Sequence, residues 1–121
     1  MVDKMRIEVF LKLVKAAICD GILILSERNK NIGFLSSKGI SIQTIKKCIM
    51  ELSTSNYCSG PSRDKSTGNR NDVWVFGAVI EGIEIYIKLS LGDSMNKVVC
   101  VSFHEAEFPM LYPYGGKDEQ N

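Results

Sequence analysis

Between Asp72 and Glu107 apolar and polar residues alternate with the period of two that a half-buried strand imposes. In the middle of this stretch Ile83, Ile85, Ile87, Leu89 and Leu91 take one parity, and Glu84, Tyr86, Lys88 and Ser90 take the other. Glu81-Gly82 separates this run from the apolar run before it. A two-residue hairpin turn is expected there, with Gly82 supplying a positive φ. That turn sets a register: Ile80 opposite Ile83, Ala78 opposite Ile85, Phe76 opposite Ile87 and Trp74 opposite Leu89, with Gly77 facing Tyr86 and Val75 facing Lys88. A third strand, Lys97 to His104, is joined through Gly92 to Asn96. Val99, Val101 and Phe103 share one parity; Val98, Cys100, Ser102 and His104 share the other. A one-residue slip would turn Ser102 and His104 into the apolar layer. The expected outcome places Val99, Val101 and Phe103 with the isoleucines, and leaves a polar face of Glu84, Tyr86, Lys88, Ser102 and His104.

The pattern earlier in the chain is helical. Ile7, Phe10, Leu11, Val14 and Ile18 recur at helical spacing over Arg6 to Asp20, with Lys12 and Lys15 off the stripe and Gly21 as the stop. Ile22 to Leu25 reads as an edge strand or a connector. Ile32 to Lys38 reads as a helical turn ending at Gly39. Ser41 is an N-cap for a second main helix, Ile42 to Leu52, whose stripe is Ile42, Ile45, Ile49 and Leu52. Residues 53–71 read as a long mobile loop in which only Tyr57 and Cys58 suit burial. Phe108 to Tyr114 holds two prolines and is expected to pack along a sheet edge or over a helix, an exposed partner-binding strip being the second reading; residues 115–121 read as frayed. The fold class is therefore α+β: an antiparallel sheet of three or more strands with two main helices on one face, the other face left for substrate.

Composition adds limits. A chain of 121 residues, 45% hydrophobic and 24% charged, suits one globular domain, 1–121. Charges break up residues 1–10 and Asp20 interrupts the longest apolar run, so neither a secretory signal nor a membrane span is expected. Cys19, Cys48, Cys58 and Cys100 form no C-x-x-C pair and match no zinc spacing, which suits reduced thiols in the cytoplasm and no metal. The net charge of +1 leaves no overall polyanion footprint, but its distribution is uneven. Residues 1–71 hold 12 Lys and Arg against 6 Asp and Glu; residues 72–121 hold 3 against 8. In the loop, Arg63, Lys65 and Arg70 suit phosphate contacts such as those of an RNA backbone, a plain flexible loop being the other reading.

The polar face carries the candidate chemistry. His104 is the single histidine, with Tyr86 and Lys88 beside it on the neighbouring strand. An imidazole, a phenol and an ammonium suit acid–base catalysis with anion stabilisation. Cleavage of RNA by its own 2′-hydroxyl needs a base, an acid and a cation, and no cofactor. A solvated sheet face with an incidental histidine is the plainer reading of the same residues.

Several strings carry a resemblance. L-S-x-x-x-Y-C-S-G-P from Leu52, V-W-V-F-G from Val73, I-E-I-Y-I-K-L from Ile83, V-C-V-S-F-H-E-A-E from Val99 and P-M-x-Y-P-Y from Pro109 together resemble the MqsR family of bacterial toxins. The resemblance implies a RelE-like ribonuclease fold and a metal-independent, ribosome-independent messenger-RNA endonuclease. It also implies a cognate antitoxin, often with a zinc-binding neutralising half and a helix-turn-helix half. The family tyrosine falls at Tyr86, the lysine after it at Lys88, and the basic residue of the last strand at His104. Ser59 stands where the family has a loop lysine, and Val75 where it has a glutamine. The expected function is an endoribonuclease toxin with His104, Tyr86 and Lys88 as catalytic residues. The alternative is an inactive RNA- or antitoxin-binding module of the same fold.

Overall fold

The computed structural model describes residues 2–20, 22–26, 29–63, 72–92 and 97–115. The elements run α1 (Lys4–Asp20), β1 (Ile22–Leu25), α2 (Asn29–Lys38), α3 (Ile42–Met50), a 3-10 turn at Thr54–Asn56, then β2 (Tyr57–Arg63), β3 (Asp72–Ile80), β4 (Ile83–Leu91) and β5 (Lys97–Glu105). The chain is α+β, with three helices and a five-stranded mixed sheet ordered β1-β5-β4-β3-β2.

α1 begins two residues before the apolar stripe indicates, because the Asp3 carboxylate accepts a hydrogen bond from the Arg6 N–H at 3.0 Å and caps the first turn. Ile7, Phe10, Leu11 and Val14 are buried. Ser41 caps α3, accepting from the Thr44 N–H at 3.3 Å. Ile45, Ile49 and Leu52 are buried, whereas Ile42, on the first turn, is exposed. Gly21, the expected stop of α1, lies outside the described residues.

The hairpin register matches every expected pair from Trp74–Leu89 to Ile80–Ile83. Glu81 and Gly82 both have positive φ, 50° and 82°, the geometry whose twist matches that of the flanking strands. Ile85, Ile87 and Leu89 join Phe76, Trp74 and the helix stripes in one core. Phe10 stacks on Trp74 with ring centroids 4.5 Å apart, and Phe34 and Leu35 of α2 pack on the same cluster. All three helices thus contribute to the core on one side of the sheet.

Three expectations change. The sheet is not purely antiparallel, because β1 pairs parallel to β5, Ile22 with Lys97 through Leu25 with Cys100. An apolar run has a face but no direction, so its spacing cannot distinguish the two pairings. The 53–71 stretch is not all loop: Tyr57–Arg63 forms the far edge strand, antiparallel to β3 with two register shifts. Pro61 is tolerated there because an edge strand has one unpaired side, and the shifts erase the alternation that would have marked it.

The third change lies in β5. Phe103, His104 and Ser102 take the expected faces, opposite Ile87, Tyr86 and Lys88. Leu89, however, pairs with Cys100, so Val101 is an extra residue at a bulge. Parity inverts beyond it. Val98 and Cys100 join the core in place of Val99 and Val101. The bulge leaves strand groups without ladder partners just where β1 ends. The buried Asn31 side chain takes them up: its Oδ1 accepts from the Phe103 N–H at 3.0 Å, and its Nδ2 donates to the Val101 and Ser26 carbonyls at 3.1 and 2.9 Å.

Candidate functional site

On the face of the sheet away from the helices, β4 and β5 bring the expected residues together. Tyr86 and His104 are direct cross-strand partners, as are Lys88 and Ser102. The Tyr86 and His104 rings stack with centroids 5.3 Å apart and planes 12° from parallel. The Lys88 Nζ lies 5.9 Å from the Tyr86 ring centroid, so cation, phenol and imidazole form a short row. The His104 Nδ1 lies 3.0 Å from the Glu105 carbonyl oxygen. A carbonyl only accepts, so this contact assigns the proton of the neutral ring to Nδ1 and leaves the Nε2 lone pair for another partner.

These side chains line a cleft of about 720 Å3. Val75 and Ser59, paired on β3 and β2, line it as well. Tyr86, Lys88, His104, Ser59 and Val75 therefore share one cleft, whose β2–β3 side carries no charge at Ser59 and Val75. Toward the other end of the same face Val73 and Ser90 are buried, 1% and 0% exposed, so the face is open only in part.

The second wall is the segment after β5, which neither follows a sheet edge nor covers a helix. It crosses the open face. The Ala106 N–H donates to the Glu84 carbonyl at 2.9 Å, the Met110 N–H to Glu84 Oε1 at 3.2 Å and the Tyr112 hydroxyl to Glu84 Oε2 at 2.6 Å. The Tyr112 ring fills the space above Gly77, where a Cβ would meet ring carbons at 2.9 Å. Tyr114 then reaches the start of α1 and donates to the Val2 carbonyl at 2.7 Å. Burial, followed by the hydrogen bond to Glu84, pushes the Tyr112 phenol upward, so it stays a donor at neutral pH. Glu107 to Leu111 lines the cleft between these anchors. The sequence signal for this crossing is Gly77, a glycine in an otherwise side-chain-rich strand and directly opposite Tyr86, whose meaning depends on the Tyr112 ring above it.

Comparison with protein-family models, curated proteins and solved structures gives no match. The site is therefore read from its own geometry. Cys58 also lines the cleft, but burial, with the Glu84 charge adding to it, pushes its thiol up to about 12. It is a protonated thiol at neutral pH and a poor nucleophile. Among the described residues no three His, Cys, Asp or Glu side chains gather as a metal site. Arg63 is exposed at the end of β2, opposite Asp72 and beyond the cleft lining. Lys65 and Arg70, the other expected backbone grips, lie outside the described residues. The sequence reading of Phe108 to Tyr114, an edge or helix cover with an exposed partner-binding strip as its second reading, did not place Glu107–Leu111 as a wall of this cleft.

Proposed function

We propose that this protein is an endoribonuclease that cleaves messenger RNA by attack of the 2′-hydroxyl on the adjacent phosphate, and that it acts as the toxin of a toxin–antitoxin pair. The observation that carries the ribonuclease half is the row of Lys88, Tyr86 and His104 on the floor of one cleft. The toxin half, with its antitoxin partner and RelE-like fold, rests on the resemblance of the sequence motifs to the MqsR family.

The chemistry follows from the atoms available. His104 Nε2 takes the 2′-hydroxyl proton as the O2′–P bond forms. Lys88 offsets the added charge on the phosphorane oxygens. Tyr86 gives its proton to O5′ as the P–O5′ bond breaks; the phenolate then takes a proton from solvent and the His104 imidazolium returns the one it accepted. The products are a 2′,3′-cyclic phosphate and a 5′-hydroxyl. Each step uses this chain's own side chains.

The test is cleavage of an end-labelled single-stranded RNA by the pure protein in excess EDTA, with the product ends identified. His104→Ala, with an unchanged circular-dichroism melt, is expected to lower the single-turnover rate by about 10²–10⁴-fold. Undiminished cleavage by that variant would remove the assignment of His104. Binding without cleavage by the wild-type protein would favour the inactive binding module.

A further inference from the structure

We propose that Phe108 is a stacking platform for a nucleobase of single-stranded RNA, holding the nucleotide beside the reacting phosphate; this rests on the ribonuclease reading above. Phe108 and Leu111 are the two most exposed large apolar side chains among the described residues, at 79% and 82%. Both line the cleft that contains Lys88 and His104. Apolar surface left open at a polar cleft marks a place where a ligand supplies the missing contact.

The support beneath Phe108 is stiff. The wall is pinned two residues before it by the Ala106 N–H on the Glu84 carbonyl, and two residues after it by the Met110 N–H on the Glu84 carboxylate. Pro109 follows directly, which restricts the Phe108 backbone to extended conformations. A backbone held this way has little freedom left to lose when a base settles on the ring.

Charge decides which part of a nucleotide lies where. Lys88 on the floor attracts phosphate. The neutral base is the part left for the wall. A base within a duplex already has both faces covered, so the platform selects unpaired RNA. Stacking tolerates all four bases, and the platform sets strand state and position more than sequence.

Binding is measured by fluorescence anisotropy on single-stranded 2′-O-methyl RNA, which keeps bases and phosphates but has no hydroxyl to attack. Phe108→Ala is expected to weaken binding about ten- to a hundredfold. Phe108→Leu, apolar but without a π face, is expected to restore little. Phe108→Trp is expected to hold affinity and to lose indole fluorescence on binding, against the constant signal of the buried Trp74. An abasic strand of the same length should bind wild type and Phe108→Ala equally. Equal affinity of Phe108→Ala and wild type for the base-bearing strand would overturn the platform while leaving cleavage by the wild type intact. Equal losses on the base-bearing and abasic strands would overturn it too. A wild-type protein that binds no RNA would overturn both this inference and the ribonuclease reading. One that binds but never cuts, with Phe108→Ala weakened, would sustain the platform alone.

Discussion

Asn31 shows how one side chain can stand in for a strand. Past Leu25, β1 has ended and β5 carries its bulge, so the Val101 carbonyl and Phe103 N–H have no backbone neighbour in the sheet. Asn31 is fully buried and meets both, along with the Ser26 carbonyl. Each buried group stripped of its partner costs about 1–3 kcal/mol. Asn31→Ala should therefore lower the unfolding free energy by about 2–4 kcal/mol, read from the urea midpoint with the slope unchanged. A midpoint that stays put would mean that water replaces the amide. Such a residue is hard to recognise beforehand, because an asparagine between Lys30 and Ile32 reads as an ordinary polar position on a helix.

At the scale of elements, the segment from Ala106 to Gly115 depends on one absent side chain. β3 has no Cβ at Gly77, and the Tyr112 ring occupies that space while its hydroxyl reaches Glu84. Gly77→Ala should push the ring out and break the hydrogen bond to the carboxylate. A hydrogen bond to a charged group contributes about 1.5–3 kcal/mol, and partial exposure places this one toward the lower end. Tyr112→Phe in the wild-type background should show that loss. In the Gly77→Ala background it should cost almost nothing, because the contact is already gone. Thermal melts of the four proteins in this cycle measure the coupling, and simple additivity would separate Tyr112 from Gly77. The same variants should widen the cleft, since the wall from Glu107 to Leu111 hangs between those anchors.

At the scale of the whole molecule, the charge split does not converge on the cleft among the described residues. The lysines of α1 and α3 belong to the helical layer, and the Lys15 Nζ is engaged with the Leu52 carbonyl at 2.6 Å. Between that layer and the sheet lie two buried thiols. Burial pushes Cys48 up to about 11 and Cys100 up to about 12, with Glu51 and Cys48 respectively adding a smaller push. Cys58, on the far side, is raised to about 12 by burial and Glu84. A thiol with a raised folded pKa keeps its proton after the unfolded chain has lost it. The unfolded state then binds fewer protons, so stability falls as pH rises. The contribution is complete below the ordinary cysteine value of 9.0 and is lost as pH climbs toward about 12. Urea midpoints taken from about pH 8 to about pH 11 should fall steadily, and Cys100→Ala should flatten the decline. A flat profile in the wild type would show that the thiols ionise without unfolding.

Much of the polar face of the sheet was present in the order of residues. Alternation from Ile83 to Leu91 assigns faces because a strand's side chains must point to opposite sides, and Glu81-Gly82 sets the hairpin register because a two-residue turn allows only one. Those two local constraints place Tyr86, Lys88, Ser102 and His104 together. The helix stripes are local for the same reason. The rest depends on contacts between distant segments. The place of β1 follows from which edge of β5 was vacant, and its parallel direction is not written in its own four residues. The bulge at Val101 is stable because Asn31, from another element, takes up its hydrogen bonds. The edge strand Tyr57–Arg63 is held by pairing with β3 and has no alternation of its own. The wall of the cleft exists because Tyr112 meets Gly77 and Glu84 across three segments of the chain. Periodicity carries no information about such meetings, since it records what one segment hides and not what covers it.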